Sequence, residues 1–172
     1  MKETHCKACG TRLTEKYLEH EGMIPFCETC GEFRFPGFNV AVSMIVKDPA
    51  EERILLIKQY GRDSYVLTAG YVNMGEDAED AAAREVREEL GAQTASLRFS
   101  HSRYYAGSNT LMLNFVAVLR DDHIAPNHEI DSFAWFTPEA ALKAIRPNSL
   151  AKAFLAYHLG KTPNVAYPAE NA

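Results

Sequence analysis

The sequence predicts an α/β fold, with a mixed sheet lying between helices, behind a small four-cysteine unit. Three observations lead there. Segments rich in β-branched and apolar residues stand on both sides of one strong helix-forming stretch, so strands flank a helix and then continue beyond it. A nearly continuous apolar run from Leu111 to Leu119 has the character of a strand covered on both faces. All four cysteines lie in the first 30 residues, in two identical knuckles.

Those knuckles are Cys6-x-x-Cys9-Gly10 and Cys27-x-x-Cys30-Gly31, with seventeen residues between the pairs. Four thiolates at this spacing suit one tetrahedral Zn²⁺, and the site is structural because no coordination position stays open for water. Two disulfides are the competing reading. The opening Met1-Lys2-Glu3-Thr4-His5 has no hydrophobic leader, so a reducing cytoplasm, and hence zinc, is expected. His5 and His20 then read as surface residues. Glu32-Phe33-Arg34-Phe35-Pro36-Gly37 suits a short linker, which gives a ribbon over residues 1–35, a larger domain over 36–160 and a tail over 161–172.

In the larger domain, Phe38 to Val46 and Arg53 to Tyr60 read as neighbouring strands across the turn Lys47-Asp48-Pro49-Ala50, and Tyr65-Val66-Leu67 as a short third. From Ala78 to Leu90 the residues are good helix formers without proline; Asp77 is placed to cap the helix and Gly91 to end it. Strands follow over Thr94 to Arg103, Leu111 to Leu119 and His128 to Phe136, with a loop over 104–110. Thr137-Pro138-Glu139 is a helix start, with a hydroxyl cap, proline at the first turn and an acid at the positive dipole end. A last helix begins at Asn148 or Ser149 and ends before Gly160. The tail, with its prolines and asparagines, is expected to be loosely held.

Taken at about 100° per residue, Glu85, Glu88 and Glu89 fall in one arc of the first helix, and Ala82, Ala83, Val86 and Leu90 in the neighbouring one. One side packs, and the other presents three carboxylates. Only Glu79 falls in the apolar arc against this pattern. Glutamates at i, i+3 and i+4 repel, and a solvated face would interleave lysines, so a cation is the expected partner. Clustered carboxylate oxygens suit a hard divalent ion such as Mg²⁺ or Mn²⁺.

The whole stretch from Gly70 to Ala92 reads G-x5-E-x7-R-E-V-x-E-E-x-G-A and resembles the Nudix box, with only Ala92 smaller than the usual aliphatic. The resemblance implies an α/β/α sandwich and cleavage of nucleoside diphosphates linked to another group. It also implies metal ligation by Glu85, Glu88 and Glu89, with Arg84 orienting a glutamate. Behind a four-cysteine ribbon the chain is similar to the NADH pyrophosphatase branch. The likeness includes Leu67-Thr68-Ala69-Gly70-Tyr71-Val72, Trp135-Phe136-Thr137 with Glu129 six residues before the tryptophan, and Pro147-Asn148-Ser149-Leu150-Ala151. Glu129 is thereby implied as a further metal ligand, Glu88 or Glu89 as the base, and Mg²⁺ or Mn²⁺ as the catalytic metal.

The chain departs from that branch after the box. Where the branch carries S-Q-P-W-P-F-P, this sequence has Ser100-His101-Ser102-Arg103-Tyr104-Tyr105-Ala106, without the glutamine, the tryptophan or the prolines. The conjugate therefore stays open among NADH or NAD, ADP-ribose, FAD and similar compounds. Substrate contacts are expected at Gly70, at Tyr71 by stacking, and at Phe35, Tyr105 and Ala151. For each aromatic the competing reading is packing within a loop, and Arg62 and Arg103 are further candidates for phosphate contact. A net charge of −5 argues against binding of duplex nucleic acid, and no apolar run is long enough to span a membrane. Ribbon-bearing relatives imply a homodimer. The functions that compete with hydrolysis are a nucleotide sensor without turnover and an RNA 5′-end cap remover.

Overall fold

A computed structural model describes residues 3–161. The described residues fall into two compact units, divided between Phe38 and Asn39. The predicted tail lies outside the described residues except for Lys161.

The first unit is a three-stranded antiparallel sheet of β1 (Thr14–Leu18), β2 (Gly22–Cys27) and β3 (Glu32–Phe33), in that order. Its buried apolar side chains are Cys6, Pro25, Phe26 and Cys27. Phe26 meets Phe33 edge to face at 5.0 Å, and the Lys16 ammonium lies 4.2 Å from the Phe26 ring centre. The sequence reading assigned no strands here, because polar residues face outward along β1 and leave no apolar alternation to detect.

The second unit is a six-stranded mixed sheet with helices on both faces, as predicted. Its strands are β4 (Asn39–Lys47), β5 (Ile54–Gln59), β6 (Thr68–Tyr71), β7 (Thr94–Tyr105), β8 (Thr110–Leu119) and β9 (Ile130–Phe136), and its helices α1 (Ala78–Leu90), α2 (Pro138–Ala144) and α3 (Leu150–His158). The order is β7-β8-β4-β5-β9, with β6 paired to β4. Only β4 and β8 run parallel; the other pairs are antiparallel.

Alternation along β4 sorts its side chains to two cores. Val42, Met44 and Val46 face α1 with Ala81, Ala82, Val86 and Leu90, while Ile45 faces α2 and α3 with Ile145, Phe154 and Leu155. Both faces are covered, which is why β4, β5 and β8 read as continuous apolar runs.

One edge of β4 is shared between two partners, and this opens the sheet beside the candidate site. Near its C-terminal end β4 pairs with β5 (Val46↔Leu55, Lys47↔Ile54), and nearer its start with β6 (Ala41↔Tyr71 to Met44↔Thr68). The third strand of this domain is thus Thr68–Tyr71, three residues later than predicted. Tyr65 and Val66 make only single bridges, to Ile145 and Ile57. The sequence misled here because Thr68-Ala69-Gly70 has weak strand propensity and forms a strand only because the open edge of β4 accepts it. β7 likewise runs through Tyr105, two residues into the predicted loop, because Tyr104 and Tyr105 pair with Leu111 and Thr110 across a tight hairpin.

Both later helix starts are capped as their sequences indicate. The Thr137 hydroxyl accepts from the Ala140 N–H at 3.4 Å, and the Ser149 hydroxyl from the Lys152 N–H at 3.1 Å.

Candidate active site

The site is built on the last two turns of α1. Asp77 stands at the N-cap with an extended backbone, although its carboxylate makes no capping bond, and Gly91 closes the helix in the left-handed region, donating its N–H to the Arg87 carbonyl. Gly91 is also needed for space, since a Cβ there would lie 2.5 Å from the Ala125 carbonyl oxygen. The loop before β9 comes this close in order to satisfy the free carbonyls of the helix end. Ala125 N–H donates to Leu90 O and Asn127 N–H to Glu89 O, both at 2.9 Å. The Asn127 side chain then accepts from the Glu129 N–H at 2.9 Å. The end of α1 thereby fixes the residue that the resemblance implies as a remote ligand.

Arg84 is the hub of the acidic cluster. Its guanidinium donates to both oxygens of Glu76 (2.7 and 3.0 Å), to Glu85 Oε1 (2.7 Å), to Glu88 Oε2 (3.1 Å) and to the Tyr71 carbonyl (3.0 Å). The fork shared with Glu76, helped by the Asn73 N–H, holds that carboxyl down at about 2. Glu76 locks the box loop onto the helix, and Arg84 aims Glu85 and Glu88 from one nitrogen.

Gly70 explains the position of Glu85. A Cβ on Gly70 would sit 2.0 Å from the Glu85 carboxyl carbon and Oε1, so only glycine lets β6 lie against this carboxylate. Gly70→Ala is expected to displace Glu85 and cut turnover at least tenfold while the melting temperature moves little. Equal turnover at saturating Mg²⁺ would show that Glu85 needs no such seat.

Glu89 departs from the open face predicted for it. It is only 5% exposed, on the side of the helix occupied by Ala82 and Val86, at i−7 and i−3, while Glu88 is exposed and Glu85 half-buried. Glu79, placed by the periodicity in the apolar arc, is exposed near the helix start. Within the buried position, Glu89 Oε2 has no hydrogen-bond partner. Burial first, then the charges of Glu85, Glu129 and Glu88, push its carboxyl up to about 8. A buried carboxylate oxygen facing three other acids with no donor is suited to a cation, and this donor set of oxygens fits Mg²⁺ or Mn²⁺. The carboxylates do not close on a single point, because Arg84 draws Glu85 and Glu88 to itself. Among the described residues the four cysteines are the one group of three or more such side chains whose ligand atoms lie within 4.8 Å of one another.

Glu129 is held by Tyr60, whose hydroxyl donates to its Oε2 at 2.8 Å. Tyr60 adopts a left-handed backbone (φ 56°) just after a bulge in the pairing of β5 with β9, and the Gly61 N–H donates to Asp131 at 2.7 Å. Sequence reasoning missed Tyr60 and Asn127. They reach Glu129 across a strand pair and through a loop, and no local pattern marks them.

Of the proposed substrate contacts, Tyr71 stands on β6 with its ring more than half exposed beside the Arg84 hub. Tyr105 ends β7, half exposed, against Gly107. Ala151 lies in the first turn of α3 and packs on the second core. Phe35 belongs to the other unit and is exposed there.

In the ribbon unit the knuckles bring the four sulfurs together. Cys9 and Cys27 Sγ lie 3.4 Å apart, Cys6 and Cys30 Sγ 3.9 Å, and the Gly10 and Gly31 N–H groups turn back onto the Cys6 and Cys27 carbonyls at 2.8 Å. The Arg34 guanidinium donates to Cys6 Sγ at 3.2 Å and lowers that thiol to about 6, whereas its sulfur neighbours, Cys9 first, push Cys30 up to about 12. All four cysteines are free of disulfides, and a sulfur-only set at these distances fits Zn²⁺.

A profile for the NUDIX domain matches residues 37–157. The chain belongs to the Nudix family. Its curated relatives include NAD-capped RNA hydrolase NudC of Pseudomonas aeruginosa, 31% identical over 166 residues, and that of Photobacterium profundum, 31% identical over 147 residues. The first alignment covers 95% of this chain but 58% of the relative, so this Nudix chain spans little more than half the length of such proteins. Among solved structures, a NUDIX hydrolase from Nitrosomonas europaea superposes with a TM-score of 0.63 at 21% identity, covering 94% of this chain and 95% of that one. An Ap4A hydrolase from C. elegans does so at 0.58 and 22% identity, covering 70% and 96%. These likenesses establish the fold. No helix among the described residues is long and apolar enough to cross a membrane.

Proposed function

We propose that this Nudix chain hydrolyses the pyrophosphate linkage of a nucleoside diphosphate conjugate, NADH or NAD, ADP-ribose, FAD or a similar compound, and releases a nucleoside monophosphate. The observation that carries the reading is Glu89, an acid kept in a buried seat with an unpartnered oxygen beside Glu85, Glu88 and Glu129. A divalent ion bound there supplies Lewis-acid polarisation of the phosphorus and a more acidic water. Glu85, Glu88, Glu89 and Glu129 hold Mg²⁺ or Mn²⁺, and Arg84 sets the direction of Glu85 and Glu88. Glu88 or Glu89 takes the proton of the attacking water. Gly70, Tyr71, Tyr105, Ala151 and Phe35 are assigned to the substrate, and Cys6, Cys9, Cys27 and Cys30 to structural Zn²⁺, with a ribbon over residues 1–35 and a hydrolase domain over 36–160. The reading includes a homodimer in the cytoplasm.

A second reading, removal of a nucleotide cap from an RNA 5′ end, is favoured by the names of the bacterial relatives, and it would cut the same bond in a larger substrate. The test is release of nucleoside monophosphate from NADH, ADP-ribose, FAD and NAD-capped RNA with and without Mg²⁺. Metal-dependent cleavage of at least one compound is expected. Binding of these compounds without cleavage would replace the enzyme by a sensor.

A further inference from the structure

We propose that Arg62 and Arg146 form a second phosphate site, which takes a backbone phosphodiester of an RNA chain whose nucleotide-capped end lies at the glutamates. The proposal rests on the hydrolase reading and specifies its substrate.

The two arginines line one open cleft of about 510 Å³ together with Asp63 and Ser64. The volume falls in the range of small-ligand sites, about 300–1,000 Å³, but those are lined mostly by apolar and aromatic groups and this one by none. Charged and polar groups thus dominate the cleft. Neither guanidinium makes a side-chain hydrogen bond or ion pair among the described residues. The only acid in the lining, Asp63, is engaged by the Lys58 ammonium. Two like charges are thus left uncompensated in one cleft, and their planar donor forks suit a phosphate.

The backbone of both walls is held before any ligand arrives. Arg146 N–H donates to the Tyr65 carbonyl at 2.9 Å, the Ser149 hydroxyl to the Arg146 carbonyl at 2.7 Å, and Arg62 N–H to the Gln59 carbonyl at 3.2 Å. What binding still has to order is the two arginine side chains. The cleft is joined to the glutamates through the chain. Arg62 follows Tyr60 by two residues, at most about 7 Å between Cα atoms, and the Tyr60 hydroxyl rests on Glu129. NADH has only two phosphates, both required at the scissile linkage. A further phosphate, apart from those two, is what the next unit of a polynucleotide supplies.

The experiment compares the full zinc-loaded chain with R62Q/R146Q on NADH, NADPH and a short NAD-capped RNA. In the variant, the ratio of kcat/KM for capped RNA over NADH is expected to fall about tenfold. The slope of log kcat/KM against log salt for the RNA should flatten by about 0.7 for each phosphate that the variant no longer neutralises. An unchanged ratio and slope overturn the proposal, as does a fall in the NADPH to NADH ratio alone, which would assign the site to a ribose monophosphate. If the wild-type chain cleaves nothing, the hydrolase reading fails separately, and the site is read by fluorescence anisotropy of a labelled 5′-hydroxyl RNA. Binding about tenfold weaker in the variant supports the site, and equal binding overturns it.

Discussion

Glu89→Gln lowers kcat by about 10²- to 10⁴-fold, the range for loss of a positioned acid or base, while leaving KM within a few fold. Glutamine keeps the shape of the side chain but cannot bind a cation as a carboxylate does or accept a proton. The same replacement changes stability in a pH-dependent way. The folded Glu89 carboxyl titrates at about 8 against an ordinary value of 4.5, so its neutral form fits the buried seat and its charged form does not. The stability it contributes is complete below about pH 4.5 and is lost as pH rises through about 8. With zinc in place and Mg²⁺ absent, the wild-type chain should therefore lose thermal stability as pH rises from about 4.5 to about 8, the span over which this group titrates. Glu89→Gln should lose less, and Mg²⁺ should restore the wild type at high pH by giving the carboxylate its partner. Parallel melting curves for the two proteins without Mg²⁺ would mean that the carboxyl is not the buried acid described here.

Removal of zinc should unfold the ribbon and leave the Nudix unit standing. Residues 3–38 bury only Cys6, Pro25, Phe26 and Cys27 among their apolar side chains. One buried phenylalanine contributes about 3 kcal/mol, whereas ordering the backbone costs about 1–2 kcal/mol per residue, so the unit has no core able to hold it. Structural zinc in small domains contributes about 10–16 kcal/mol, enough to reverse that balance. Hydrogen exchange before and after treatment with a strong chelator reads this directly. Amides of β1 and β2 should lose protection by orders of magnitude, while those of β4 and β8 keep theirs. Persistent protection in β1 and β2 without metal would assign the four cysteines some role other than holding the fold.

Much of this architecture was legible in the residues because the signals were local. Gly91, Thr137-Pro138 and Ser149 mark helix ends by chemistry that acts within one turn. The apolar runs of β4 and β8 reflect a sheet covered on both faces. The two cysteine knuckles bring four sulfurs together, as their spacing indicates. What stayed hidden depends on distant parts of the chain. β6 forms because β4 leaves half an edge unpaired, which Thr68-Ala69-Gly70 does not announce. Glu89 is buried on the side of α1 that carries Ala82 and Val86, whereas helical periodicity counted it with the exposed acids. Tyr60 and Asn127 support Glu129 from a bulge and a loop, across distances that no motif spans. The reason for Gly70 also needed the structure, since the carboxylate it makes room for is fifteen residues away.

Titration of Mn²⁺ into the zinc-loaded chain, followed by electron paramagnetic resonance, is the most direct test of the claim that these glutamates hold divalent ions. Saturable binding is predicted for the wild type, strengthened by ADP-ribose and greatly weakened in Glu85→Gln/Glu89→Gln. Undiminished binding in that variant, or none in the wild type even with the nucleotide present, would contradict it.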